Sequence, residues 1–344
     1  MRVAIDATYQ RQPDGGIPRY ARHLTAALRA RGDVDVVEIG GGKGQRRKTF
    51  RRRVVTFAVD FVWHPVLGRV RAAAVGADIY HSPGFRGPLT HGRIPIVVTV
   101  HDIVSTIFPE LASATARIYG NRAQRRMSRI ADIVICNSTD TANDLERVFG
   151  VPPDRIRITP LGVDEIFFVP STAPAPVSEP YVLFVGSEQP RKNLERLEQA
   201  MTLLRARGFP HILVTAGADA WGRVDIGASF LKRLGRVTDE QLVSLYAGSA
   251  CLAIPSLHEG FGLPALEAMA AGTAVVAARV AALPEVTGGA AVLVDPLDAA
   301  DIADGLARAI TERATLVERG RRQAAQFTWT RTASMTADVY RELV

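Results

Sequence analysis

Short apolar runs alternate with helically spaced apolar positions from one end of the chain to the other. The first run, Val3-Ala4-Ile5, ends at Asp6. After a loop carrying Gly15 and Gly16, the positions Tyr20, Leu24, Ala27 and Leu28 recur at helical spacing up to Gly32, with Pro18 suited to the helix start. Further strand-like runs are Val36 to Ile39, Ile79-Tyr80-His81, Ile96 to Thr99, Ile133 to Cys136 and Ile156-Arg157-Ile158. Pro170, Pro174, Pro176 and Pro180 then crowd a short stretch, which predicts an extended, semi-stiff connection. A second alternating pattern starts at Tyr181, with strands expected at 182–185, 211–215, 230–234, 251–254, 273–277 and 291–294. The last helix, about 330–343, has no strand after it. Such alternation predicts parallel α/β architecture, and 344 residues suit two domains.

Composition adds little to that frame until charge is considered. Hydrophobic residues make up 47%, enough for two cores, and 22% charged is ordinary. Cys136 and Cys251 each stand at an end of an apolar run, without a C-x-x-C or a nearby histidine pattern, so they read as buried packing residues in a reducing compartment. The chain begins with a strand rather than a signal peptide, and no run reaches about 18 apolar residues, so a cytoplasmic protein is expected.

The net charge of +7 is concentrated in Lys43, Arg46, Arg47, Lys48, Arg51, Arg52 and Arg53. No zinc pattern or aromatic RNA-binding strand accompanies them, so nucleic acid is not expected. The apolar, partly aromatic stretch 54–63 follows instead. Basic then amphipathic is a membrane-surface pattern, placing the protein peripherally on an anionic membrane through 43–63. A solvated loop before a core helix fits the same residues, and the two readings stay open. The glycine run 40–44 opens neither a dinucleotide fold nor a P-loop. Gln45 stands where the last glycine of G-x-G-x-x-G belongs, and there is no G-K-[ST].

Chemistry concentrates in 256–267, Ser-Leu-His-Glu-Gly-Phe-Gly-Leu-Pro-Ala-Leu-Glu, which follows the run Cys251 to Ile254. Strand, glycine-bearing loop and helix start, with Pro264 near the first helical position and Gly272 as the stop, present unsatisfied amides and the positive end of a helix dipole. Such a place binds phosphate, with backbone N–H groups from Phe261, Gly262 and Leu263. Glu259 and Glu267 would lie about 12 Å apart if helical throughout, too far to share a proton. Ionised carboxylates accept from hydroxyls, as on sugars or ribose. Arg191 and Lys192 follow the first strand of the second half, and a planar fork beside a point charge suits diphosphate oxygens. Asn193 is expected to cap the next helix. The pair Gly15-Gly16 lets backbone approach a ligand closely.

The segment Glu259-Gly-Phe-Gly-Leu-Pro264-x-x-Glu267-Ala-Met-Ala-x-Gly272 resembles the signature of the retaining family 4 glycosyltransferases, which have the GT-B fold. Gly186-x-x-x-Pro190-Arg191-Lys192-Asn193 is similar to that family's diphosphate-binding segment. Pro160-Leu-Gly-Val-Asp164, Gly15-Gly-Ile-x-Arg19-Tyr20 and His101-Asp102 resemble its other motifs, in order over nearly the whole chain. The closest subgroup is the bacterial polysaccharide mannosyl- and rhamnosyltransferases, through His101-Asp-Ile-x-x-x-x-Phe108-Pro109-Glu110, Pro190-Arg-Lys-Asn193 and Leu283-Pro-Glu-Val286. Ala274 and Ser187-Glu188 depart from the usual pattern in the nucleotide-binding half.

The resemblance implies two Rossmann-like parallel-sheet domains facing across a cleft: an acceptor-side domain (1–163), a proline-rich linker (164–180), a nucleotide-sugar domain (181–328) and a terminal helix (329–344) returning to the first domain. It implies that His101 contacts the donor sugar, Glu259 holds the sugar's hydroxyls and Glu267 the ribose. The donor expected is a nucleoside-diphosphate sugar, GDP-mannose favoured and UDP- or dTDP-sugars allowed, and the acceptor a glycan or a lipid-linked glycan of the cell envelope. No cofactor and no metal are expected. The one D-x-D, Asp33-Val-Asp35, precedes its strand and lies at the wrong sheet edge. A non-hydrolysing nucleotide-sugar epimerase and a non-catalytic nucleotide-sugar-binding subunit are the rival readings. A phosphorylase would need a pyridoxal lysine, and no lysine follows Lys232.

Overall fold

The computed structural model describes residues 1–11, 15–40, 66–88, 90, 92–111, 121–171, 173–218 and 228–344. The basic run 43–53 and the apolar stretch after it lie outside them. The chain forms two compact units, Met1–Gly162 with Trp329–Val344, and Val163–Thr328.

The first unit is built on six strands: β1 (Arg2–Asp6), β2 (Asp35–Ile39), β3 (Ile79–Ser82), β4 (Ile96–Val100), β5 (Ile133–Cys136) and β6 (Ile156–Ile158). All pairings are parallel, in the order β2-β1-β3-β4-β5-β6. β3, β4 and β5 are buried along their whole length, which is why they read as unbroken apolar runs rather than alternating ones. Helix α1 (Gly16–Arg31) presents Tyr20, Ala21, Leu24, Thr25 and Leu28 inward and stops at Gly32 in the left-handed region. After β5, Ser138 caps the next helix by accepting from the Thr141 amide. The terminal helix, Trp329–Arg341, packs within this unit. Its Thr332 hydroxyl donates to the Pro160 carbonyl at 2.7 Å, and Tyr340 Oη lies 2.5 Å from His81 Nδ1.

The second unit carries β7 (Tyr181–Val185), β8 (Ile212–Ala216), β9 (Leu231–Arg233), β10 (Cys251–Ile254), β11 (Val275–Ala278) and β12 (Val292–Val294). Again all pairs are parallel, in the order β12-β11-β10-β7-β8-β9. The strand order reverses between β7 and β10, and in open α/β sheets ligands sit outside the carboxyl ends at such a reversal. Its core joins Val182 and Phe184 to Leu194, Leu197, Met201 and Leu204 of a covering helix, α2 (Leu194–Ala206).

Ahead of the proline-rich stretch, Glu165–Phe168 forms a turn of 3-10 helix, started by the Asp164 carboxylate accepting from the Ile166 amide. Phe167 is fully buried there, its ring packed edge-on against Tyr246.

Candidate functional site

In the second unit, β7 runs into a loop that ends in a 3-10 turn, Pro190–Lys192. The β10 strand runs into the loop 255–262 and then helix α3 (Leu263–Ala270). The two loops are tied by the Leu257 amide donating to the Arg191 carbonyl at 2.8 Å. Lys192 Nζ donates to Glu259 Oε1 at 2.5 Å, and Arg191 Nη1 to Glu259 Oε2 at 3.3 Å and to the His258 carbonyl at 3.1 Å. Ser256 Oγ adds a bond to Glu259 Oε1 at 2.6 Å. Lys192 and Glu259 are both buried. Burial works against the Glu259 charge, but Lys192 first and Arg191 second outweigh it, and its pKa falls to about 2. A pre-formed ion triad therefore stands at the strand-order reversal, two positive groups held by one carboxylate.

Glu259 thus balances both positive charges within the two loops. Asn193 does not cap by its side chain. It sits in the left-handed region at φ 59°, and its Nδ2 donates to the carbonyls of Pro255 and Pro296 at 3.0 and 2.7 Å. Stitching three loops together wins over capping one helix, because those buried carbonyls would otherwise lack donors.

Gly262 adopts φ 95°, and a Cβ there would lie 2.6 Å from Leu283 Cδ2, so glycine is required where the loop turns into α3. In the first turn of α3, Pro264 has no N–H and the Ala265 amide already donates to the Gly262 carbonyl at 2.9 Å, which leaves the Leu263 amide without an intrahelical acceptor. Phe261 is buried with its ring edge on Phe327, so its backbone rather than its side chain faces the loop. Glu267, in the second turn, is buried and accepts from Tyr246 Oη at 3.1 Å. Tyr246 lies on the helix Asp239–Gly248, which precedes β10 in the chain. An aromatic at a core-like position carried no sequence signal for this role.

In the first unit, Gly15 at φ 134° precedes α1, and Gly16 leaves open space where a Cβ would stand. Tyr20 of α1 packs edge-on against His101, at the carboxyl end of β4, with ring centroids 4.8 Å apart. His101 Nε2 lies 3.0 Å from the Pro83 carbonyl, which only accepts, so Nε2 carries the proton and Nδ1 remains an acceptor. Burial lowers the His101 pKa, so its neutral form dominates at neutral pH. Behind it stands a buried chain that sequence reasoning did not single out. His81 bonds Tyr340 Oη through Nδ1 and Thr99 Oγ1 through Nε2 at 2.9 Å, and Tyr20 Oη meets the same Thr99 oxygen at 2.9 Å. Burial, then the nearby His101, push the His81 pKa down to about 3, so it acts as a fixed hydrogen-bonding strut. Of the sequence-selected residues, Arg191, Lys192 and Glu259 form one cluster with Phe261, Gly262 and Leu263 in the adjoining loop and helix start. Glu267 lies on the same helix, engaged with Tyr246. Gly15, Gly16 and His101 form a separate group in the first unit. Asp33 and Asp35 are drawn into ion pairs with Arg31, Arg341 and Arg2.

Two six-stranded parallel sheets, one with a charged, glycine-turned site at its strand-order reversal, give the GT-B fold. Residues 14–166 match the family described as Glycosyltransferase Family 4, and 179–312 the family described as Glycosyl transferases group 1. The O-antigen chain mannosyltransferase B of Escherichia coli is 32% identical over 285 residues, 77% of this chain and 74% of that protein. The MMP alpha-(1->4)-mannosyltransferase of Mycolicibacterium hassiacum is 32% identical over 73% of this chain and 66% of its own length. A sucrose-phosphate synthase structure from Thermosynechococcus elongatus shares the fold at a TM-score of 0.73 and 22% identity, covering 100% of this chain and 99% of that one. The chain belongs to the group 1, family 4 glycosyltransferases. Among the described residues no helix is long and apolar enough to cross a membrane.

Proposed function

We propose that the protein transfers a mannosyl group, with retention, from a nucleoside-diphosphate sugar to a glycan or lipid-linked glycan acceptor of a cell-surface polysaccharide or glycolipid. The observation that carries this reading is the ion triad of half-buried Arg191 with buried Lys192 and Glu259, beside the Leu263 amide that opens α3. As the glycosidic bond breaks, charge builds on the leaving diphosphate. Arg191, Lys192 and the Leu263 amide are donors held in place by the two loops, which favours stabilising that charge with little reorganisation. The diphosphate shares these cations with Glu259, whose ionised oxygens then accept from the sugar's hydroxyls. Glu267, fixed by Tyr246, is assigned to the ribose. Neutral His101, with Nδ1 as acceptor, is assigned to a hydroxyl of the transferred sugar. Mannose is favoured because the relatives named above are mannosyltransferases. The test is the product's anomeric configuration. With GDP-α-mannose as donor, proton NMR should show an α-mannoside, and a β-linked product would contradict retention.

We extend the proposal to an anionic membrane surface as the place where the acceptor is met. Within the described residues it is supported by the helix Asn121–Ile130, which exposes Arg122, Arg125, Arg126 and Arg129 along one face and contains no acidic residue. The same helix is anchored next to His101, its Gln124 Nε2 donating to the Asp102 carbonyl at 2.9 Å. Each cation near such a surface contributes about 1 kcal/mol. Vesicles containing anionic lipid should co-sediment the protein, with binding lost on raising salt and weakened in Arg122→Glu/Arg129→Glu. Equal binding to neutral vesicles, or none to either, removes the membrane from the account.

A further inference from the structure

The sequence departs from its family pattern at Ser187-Glu188, and the structure gives Glu188 a partner that the roles above leave unused. Glu188 lies in the same loop as Lys192, after β7, and is buried. Its Oε1 accepts from Thr215 Oγ1 on β8 at 3.1 Å. Arg233, the last residue of β9, donates from Nε to both Glu188 oxygens at 3.2 and 3.3 Å. The pair therefore spans the carboxyl ends of β7, β8 and β9, on the same sheet edge as the triad. We propose that this pair reads the base of the donor nucleotide, with Arg233 donating to it and Glu188 as the residue that positions Arg233, and that it favours guanine.

Two observations carry this. First, placement: the triad sits between β7 and β10, and the pair lies over β8 and β9, on the order of 10 Å along the edge at two inter-strand spacings. Second, an unmet donor: among the described residues Arg233 Nη2 is buried with no hydrogen-bond partner. A guanidinium whose Nε is held by a carboxylate and whose Nη2 lacks an acceptor costs desolvation until a ligand supplies one.

The chemistry of the bases decides which ligand. Guanine presents O6 and N7 as adjacent acceptors that match the guanidinium fork. Adenine sets an amino donor beside N7, and uracil offers O4 without an adjacent ring acceptor. An ion pair that only braced the sheet would leave the choice of base to other groups.

The inference rests on the donor-site reading above, and the experiment separates the two. Calorimetric titration of the full chain with GDP, UDP and ADP isolates the base from the sugar and does not need an acceptor. Wild type should bind GDP about tenfold or more tightly than UDP or ADP, the range expected of one bidentate contact. Arg233→Lys, which keeps the charge and loses the fork, should erase most of that preference and leave UDP affinity within about threefold. Glu188→Gln should reduce the preference in the same direction, with thermal melts reporting that both variants are folded. If wild type prefers GDP and folded Arg233→Lys keeps that preference, or loses affinity for all three alike, the pair does not read the base while the donor site stands. If folded wild type binds none of the three diphosphates, the donor-site reading falls, and this inference with it.

Discussion

Lys192→Ala should lower turnover by about 10²–10³, roughly 3–4 kcal/mol of transition-state stabilisation, as removing one positioned donor to a developing negative charge does. Diphosphate is also held in the ground state, so part of the loss should appear in KM. The substitution has a second effect that follows from the geometry. Lys192 Nζ bonds Glu259 at 2.5 Å, and removing one partner of a buried pair destabilises by about 3–5 kcal/mol. The double variant Lys192→Met/Glu259→Gln removes both charges and should recover most of the lost melting temperature while remaining inactive. Steady-state kinetics beside thermal denaturation check both halves. A stable, fully active Lys192→Ala would remove the lysine from the diphosphate site.

Glu259→Gln separates the sugar from the diphosphate. It should lower kcat by about 10²-fold, the worth of a charge-assisted hydrogen bond to a hydroxyl, while affinity for the free nucleoside diphosphate holds or improves. The improvement is expected because the carboxylate no longer competes for Lys192 and Arg191. A matching fall in diphosphate affinity would mean that Glu259 chiefly orients the cations. The same residue gives stability a pH dependence of known sign. Its folded pKa, about 2, lies below the ordinary value of 4.5. The ionised pair therefore contributes fully above about pH 4.5, and that contribution, about 3 kcal/mol, is lost as pH falls toward 2. Glu259→Gln should lack this component in acid denaturation, and an unchanged acid limb would place the titration elsewhere.

The parallel α/β frame was legible because both sheets are buried on both faces, so strands such as β4, Ile96–Val100, appear as continuous apolar runs between helical patterns. The glycine-turned loop before α3 was legible for a related reason, since Gly262 is needed where no side chain fits. What spacing could not give is which charges meet. Arg191 and Lys192 lie far from Glu259 in sequence, and only the adjacency of β7 and β10 makes them partners. Asn193 shows the same limit: helix-cap statistics placed it locally, while its amide bonds carbonyls of two distant loops. Tyr246, His81 and Arg233 were invisible because each occupies a strand or helix position that ordinary packing or solvation would explain. The turn at Glu165–Phe168 carried no signal of its own, since a single buried phenylalanine has no periodicity to show.

The central claim is that the Arg191–Lys192–Glu259 triad binds and discharges a nucleoside-diphosphate sugar. It is tested most directly by incubating the purified protein with a panel of such sugars and a membrane-derived acceptor fraction, and quantifying free nucleoside diphosphate. The account predicts diphosphate release from at least one donor, dependent on the acceptor and lost in Lys192→Ala. Release from no donor by folded wild-type protein, or equal release by folded Lys192→Ala, would contradict it.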